Sequence, residues 1–121
     1  MKQHILIVDD EKIITKALSR IFQHHHFVVD TAYDGKEALK KIQKNNYHCV
    51  LLDIILPEIN GVDVLAKIKE IKPNMPVIMM TAYSNTEALQ KAKKLGASEA
   101  ILKPFDNIEQ VVKIVTHVLN T

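Results

Sequence analysis

Apolar residues gather along the chain in five short runs, Ile5–Val8, Phe27–Val29, Cys49–Leu52, Val77–Met80 and Ala100–Leu102. Each run is nearly continuous. A strand with one wet face must alternate, so continuous runs predict strands covered on both faces. The starts are separated by 22, 22, 28 and 23 residues. Between the runs the apolar positions take a helical period. Ile13, Ile14, Ala17, Leu18, Ile21 and Phe22 form a first stripe, and Ala38, Leu39 and Ile42 a second. Val64, Leu65, Ile68 and Ile71 form a third, Ala88, Leu89, Ala92 and Leu95 a fourth, and Ile108, Val111, Val112, Val115 and Leu119 the last. Asp34 with Glu37, and Asp106 with Glu109, have the spacing of an N-cap acid followed by a Glu three residues on. Gly96 is placed to end the fourth helix.

Strands and helices alternating in units of this length require βαβ crossovers, and hence a parallel sheet with helices on both faces. The expected fold class is α/β: a five-stranded parallel sheet, doubly wound as (βα)5, with residues 1–121 as a single domain. No Gly/Ser-rich linker or low-complexity tract divides it. Such a unit would serve alone or as the N-terminal part of a longer protein.

Composition narrows the function classes. The 121 residues are 47% hydrophobic and 25% charged, enough to bury a core without disulfide or metal staples. With 16 basic and 14 acidic residues the net charge is +2, too balanced to argue for direct nucleic-acid binding or an anionic membrane. Cys49 is the one cysteine, so no internal disulfide can form, and a reducing, cytoplasmic setting is expected. No run has the length of a signal-peptide core or a transmembrane span.

Ligands of an open parallel α/β sheet bind at the carboxyl ends of the strands. The first run ends in Asp9-Asp10, followed by Glu11. The second ends in Thr31-Ala32-Tyr33, the third in Asp53, the fourth in Thr81 and the fifth in Lys103-Pro104-Phe105. Three carboxylates brought together repel one another, and a hard divalent cation such as Mg²⁺ relieves that repulsion. A phosphoryl group at the same edge would be neutralised by the metal on one side and Lys103 on the other, with Thr81 donating a hydrogen bond. Phosphoryl transfer needs mostly this positioning and neutralisation, together with an oxygen nucleophile, and a carboxylate is a competent one.

These residues, in this order at strand ends, resemble the receiver domains of two-component response regulators, the chemotaxis-regulator type in particular. The stretch Leu52-Asp53-Ile54-Ile55-Leu56-Pro57-Glu58-Ile59-Asn60-Gly61 is similar to that family's phosphorylation loop, with its Pro and Gly at matching offsets. The resemblance covers essentially the whole chain. It implies the flavodoxin-like strand order 2-1-3-4-5 and Asp53 as phosphoacceptor. It implies Mg²⁺, with Mn²⁺ as a substitute, ligated directly by Asp10 and Asp53, through water by Asp9, and by the main-chain carbonyl of Ile55. Thr81, Ala82 and Lys103 would bind the phosphoryl group and act as the switch, and the Lys103–Pro104 peptide would be cis. The implied partners are a histidine kinase or histidine phosphotransfer protein, and a downstream effector on the face of the fourth helix, fifth strand and fifth helix. The implied chemistry is signalling, with self-catalysed phosphotransfer and slow autodephosphorylation only. Slow loss fits Ile55 and Tyr83, two residues past the Asp and the Thr, since neither side chain orients a water well. Ala100 departs from the family, many of whose members carry Tyr or Phe three residues before the lysine. Coupling would then run through the loop after the fourth strand.

Other readings fit less well. An aspartate-nucleophile phosphatase of the haloacid dehalogenase type would need a second Asp where Glu11 stands, and a flavin-binding module would need a hydroxyl-rich loop where the acidic pair stands. His24-His25-His26 lacks the i, i+4 spacing of helical metal ligands and reads as the polar end of the first helix and its turn. Cys49, Met79 and Met80 read as packing residues, and the lysine clusters at Lys40-Lys41-Lys44 and Lys91-Lys93-Lys94 as solvated faces.

Overall fold

The three middle strands are those with the longest unbroken apolar runs, four residues each. In the computed structural model, which describes residues 2–82 and 86–121, these are β1 (His4–Val8), β3 (Cys49–Asp53) and β4 (Val77–Thr81). Every residue of β3 and β4 is buried, and all of β1 except His4. The flanking strands β2 (Val28–Ala32) and β5 (Glu99–Leu102) are mostly partly or fully exposed, as edges are. All four pairings are parallel and the order is β2-β1-β3-β4-β5, the expected doubly wound α/β arrangement.

Side chains of a strand alternate between faces, so each middle strand feeds two cores. Leu6, Val8, Val50, Leu52, Val77 and Met79 pack toward α2 (Gly35–Lys44), α3 (Gly61–Ile71) and α4 (Glu87–Lys94). Ile5, Ile7, Cys49, Leu51, Ile78 and Met80 pack toward α1 (Lys12–His24) and α5 (Ile108–Leu119). The Cys49 thiol lies fully within the second core, where burial pushes its pKa up to about 12, and it is inert.

Local signals set the helix ends. Asp34 caps α2, accepting from the Glu37 N–H at 2.8 Å, while Glu37 Oε1 accepts from the Tyr33 N–H at 2.7 Å. Gly96, at φ +102°, follows α4 in the left-handed conformation that ends helices. His24 closes α1, with His25 and His26 in the turn beyond it.

Two local expectations need correction. The cap of α5 is Asn107 and not Asp106, because Asn107 is the extended residue next to the first helical residue and its side chain accepts from the Glu109 N–H at 3.0 Å. The predicted stripes are too wide: Ile71 at the end of α3 is exposed, and in α1 Ala17 and Ile13, the latter 85% exposed, lie off the buried stripe, which runs through Thr15, Leu18 and Phe22. The polar Thr15 is tolerated there because its hydroxyl donates to the Lys12 carbonyl at 3.0 Å. Among the described residues, no helix is long and apolar enough to cross a membrane.

Candidate functional site

Parallel strands bring all their carboxyl ends to one edge, and backbone hydrogen bonds fix what meets there. The Asp9 N–H donates to Ala32 O at 3.1 Å and the Ile54 N–H to Met80 O at 3.0 Å, so the ladder continues past the apolar runs. The Lys103 N–H donates to Thr81 O at 2.7 Å, which ties the end of β5 to the end of β4. The Lys103–Pro104 peptide is cis.

Lys103 stands at the centre of the acidic edge. Its ammonium donates to Asp9 Oδ2 at 2.5 Å, to Asp53 Oδ2 at 2.8 Å and to Glu11 Oε1 at 3.3 Å. The other oxygens of the two buried carboxylates are also engaged. Asp9 Oδ1 accepts from the Glu11 N–H at 2.9 Å, and Asp53 Oδ1 from the Ile55 N–H at 3.1 Å. Each aspartate is therefore gripped by the lysine on one oxygen and by the amide two residues on with the other, a local turn that Asp readily makes. Asp9, Asp53 and Thr81 are buried, whereas Asp10, Ala82 and the side chain of Ile55 are exposed. Thr81 ends β4 on the strand beside Asp53. Tyr83 lies outside the described residues.

The electrostatics follow from crowding. Burial raises the pKa of Asp9, opposed by the hydrogen bonds from Lys103 and the Glu11 amide, and the charge of Asp53 raises it further. Burial alone would lower the pKa of Lys103, but hydrogen bonds to Asp53 and Asp9, and their negative charge, hold it above the ordinary lysine value. One ammonium thus faces several carboxylates, and negative charge is left over. Asp9, Asp10 and Asp53 each offer an oxygen, and these oxygens lie within 4.8 Å of one another. An all-oxygen, anionic, partly exposed set fits a hard cation such as Mg²⁺ better than a soft metal.

The loop after Asp53 is shaped by Gly61. Its N–H donates to Ile54 O at 2.6 Å, and a Cβ there would run into the Asp53 carbonyl oxygen, with Ile54 Cα at 2.7 Å. Only glycine lets α3 start this close to the strand that carries Asp53. Sequence reasoning did not single out Glu11 as a partner of the lysine; its one signal was its place directly after the acidic pair.

Comparison with known proteins agrees with this geometry. The profile of the response regulator receiver domain matches residues 5–116. The transcriptional regulatory protein SrrA of Staphylococcus aureus is 38% identical over 114 residues, which are 94% of this chain and 47% of that protein. The chain spans about half the length of the curated relatives it matches. A CheY-like response regulator receiver domain protein from Methanospirillum hungatei JF-1 superposes with a TM-score of 0.95 at 30% identity, covering 99% of this chain and 95% of that one. The chemotaxis protein CheY4 of Vibrio cholerae superposes with a TM-score of 0.91, also at 30% identity, over 98% of this chain and 99% of that one. An α/β sheet of this order with aspartates and a lysine at its carboxyl edge defines a CheY-like signalling domain. This chain belongs to the receiver domains of the two-component response regulators, and its role in that family is that of phosphoacceptor.

Proposed function

We propose that residues 1–121 act as one receiver unit that accepts a phosphoryl group on Asp53 from a histidine kinase or histidine phosphotransfer protein, in the cytoplasm and with Mg²⁺. The observation that carries this reading is the seat of Asp53. It is a buried carboxylate bridged to Asp9 by one ammonium group, at the mouth of an acidic cluster. A carboxylate oxygen of Asp53 attacks the phosphorus and forms a new O–P bond. The P–N bond of a phosphohistidine donor breaks, and its electron pair stays on the imidazole, which takes a proton from solvent. Lys103 then turns from the Asp53 carboxylate to the phosphoryl oxygens, and the Thr81 hydroxyl donates to another. Mg²⁺, when bound by Asp10, Asp53 and the Ile55 carbonyl directly and by Asp9 through water, supplies the remaining charge neutralisation. The chain itself catalyses the transfer and its own dephosphorylation, and the latter is slow because the exposed, apolar Ile55 orients no attacking water.

The expected readout is a shift in which partner binds the face of α4, β5 and α5. There Ala100, like Ala88 and Leu95, is partly buried against the core that α4 covers and stands where many family members carry a ring, so the loop after β4 and the packing of α4 carry the coupling.

Incubation with acetyl phosphate and Mg²⁺ tests the site. Intact-mass analysis should show one phosphoryl group on the wild type and none on Asp53→Asn; unchanged uptake by the variant would refute the assignment. In the same samples Ile55→Asn should shed its phosphoryl group faster, and an equal or longer lifetime would remove the shielding role given to Ile55.

Mg²⁺ should also stabilise the fold, because it binds the folded acidic cluster and has no such site in the unfolded chain. At a hundred times its dissociation constant the gain is about 2.7 kcal/mol. In Asp10→Asn, which loses a direct anionic ligand, most of that gain should vanish in thermal unfolding measured with and without Mg²⁺. Equal shifts in both proteins would exclude Asp10 from the metal site.

A further inference from the structure

Lys103 has a third carboxylate partner that the chemistry above leaves unused. Glu11 Oε1 lies 3.3 Å from the ammonium, farther than Asp9 Oδ2 at 2.5 Å or Asp53 Oδ2 at 2.8 Å. The Glu11 side chain is 60% exposed, against 0% for Asp9 and 8% for Asp53. Glu11 is the N-cap residue of α1, yet its side chain makes no capping hydrogen bond and is turned to the lysine instead. Its backbone is pinned without help from the side chain. The N–H donates to Asp9 Oδ1 at 2.9 Å, and the carbonyl accepts from the Ile14 and Thr15 N–H groups, each at 3.1 Å. The carboxylate can therefore leave Lys103 without disturbing the helix.

An ammonium group has three N–H donors, and here they meet three carboxylates. A phosphoryl group on Asp53 must claim at least one. Asp9 is fully buried and would be left with a single amide if Lys103 turned away, at the cost that attends any underpaired buried charge. Asp53 is the group being modified. Glu11 alone can exchange the lysine for water cheaply, as exposed ion pairs do.

Building on the phosphoacceptor reading, we propose that Glu11 is a positioning residue that holds Lys103 back from the phosphoryl position and releases it when the phosphoryl group arrives. While the contact lasts, Glu11 competes with the phosphoryl oxygens for the ammonium. Removing its charge eases phosphoryl binding.

The test compares wild type, Glu11→Gln, Glu11→Ala and Glu70→Gln in titrations with beryllofluoride and Mg²⁺, followed by NMR, and in acetyl phosphate uptake. Glu70 is an exposed carboxylate near the end of α3 and serves as a control for overall charge. Both Glu11 variants should bind the mimic roughly two- to fivefold more tightly, the range an exposed ion pair allows. The gain should shrink between about 0.1 M and about 1 M salt, as the Debye length falls from about 10 Å to about 3 Å. The ¹⁵N signal of the Lys103 ammonium should move in both, and Glu70→Gln should match wild type. Unchanged or weaker binding by Glu11→Gln overturns the inference. So does an equal gain in Glu70→Gln, which would reflect overall charge alone, or a gain insensitive to salt, which would reflect altered packing. If wild type itself takes up neither mimic nor phosphoryl group, the phosphoacceptor reading fails and the role of Glu11 falls with it. If wild type loads normally and Glu11→Gln behaves identically, only the role of Glu11 fails.

Discussion

A Gly61→Ala variant should lose about 3 kcal/mol of stability, the upper range for overpacking a tight site, and most of its capacity to take up a phosphoryl group. The added methyl would press on the carbonyl oxygen of Asp53 and come within 2.9 Å of its carbonyl carbon, and both are backbone atoms with no rotamer through which to escape. To relieve the clash, the start of α3 must move away from β3 or the residue carrying the phosphoacceptor must shift. Either movement strains the hydrogen bond from the Gly61 N–H to Ile54 O. The displacement falls on Asp53 itself, where misplacement by even 1 Å costs reactivity steeply. Denaturant unfolding and acetyl phosphate uptake on the same preparation check both parts. A loss under about 1 kcal/mol with normal uptake would show that the loop absorbs the methyl elsewhere.

Lys103→Met should destabilise the metal-free protein at neutral pH by about 3 kcal/mol, the cost of removing one partner from a buried ion pair. Methionine keeps most of the apolar stem, so the loss reports charge more than packing. Without the ammonium, Asp9 keeps the Glu11 amide but loses the lysine that opposes its burial and the charge of Asp53, and its carboxylate is driven toward protonation. The sign with pH follows from that. A carboxylate whose folded pKa lies above its unfolded value contributes most at low pH and loses that contribution as pH rises through the folded value. The deficit of Lys103→Met should therefore narrow on acidification, and narrow again when Mg²⁺ replaces the missing positive charge. In the wild type the lysine behaves the other way round. Its folded pKa lies above the unfolded 10.5, so its stabilisation is intact at neutral pH and is lost only as pH rises through the higher folded value. The variant should also bind beryllofluoride about tenfold or more weakly, since a hydrogen bond to a charged group is worth roughly 1.5–3 kcal/mol. A variant as stable as wild type at neutral pH without Mg²⁺ would mean that the carboxylates do not depend on Lys103.

The central strands were readable from sequence because burial on both faces leaves a continuous apolar run, and β3 and β4 are buried at every position. The edge β2 was less so. The apolar run Phe27–Val29 marks only its first half, because the second half includes Asp30 and Thr31 on a partly exposed strand, where Asp30 accepts from the Tyr47 hydroxyl at 2.7 Å. Ile13 was misplaced because it adjoins Ile14, whereas one residue along a helix is a rotation of about 100°, enough to carry a side chain out of the buried stripe. The residues at the carboxyl edge were legible because a parallel sheet gathers its strand ends in one place whatever lies between them. The direction of side chains within that edge was not. Sequence brought Lys103 to this edge without fixing its carboxylate partners; the structure seats it between Asp9 and Asp53 and adds Glu11 as a third contact. The need for glycine at position 61 likewise depends on a backbone approach that no local pattern encodes.

Borohydride reduces an acyl phosphate to an alcohol and leaves free carboxylates and phosphohistidines unreduced, so it tests the central claim most directly. The chain would be loaded with acetyl phosphate and Mg²⁺, reduced, digested and sequenced by mass spectrometry. Homoserine at position 53, and nowhere else, is the expected result. Reduction at Asp9 or Asp10, or a phosphoryl group found on one of the six histidines with residue 53 unchanged, would contradict Asp53 as the phosphoacceptor.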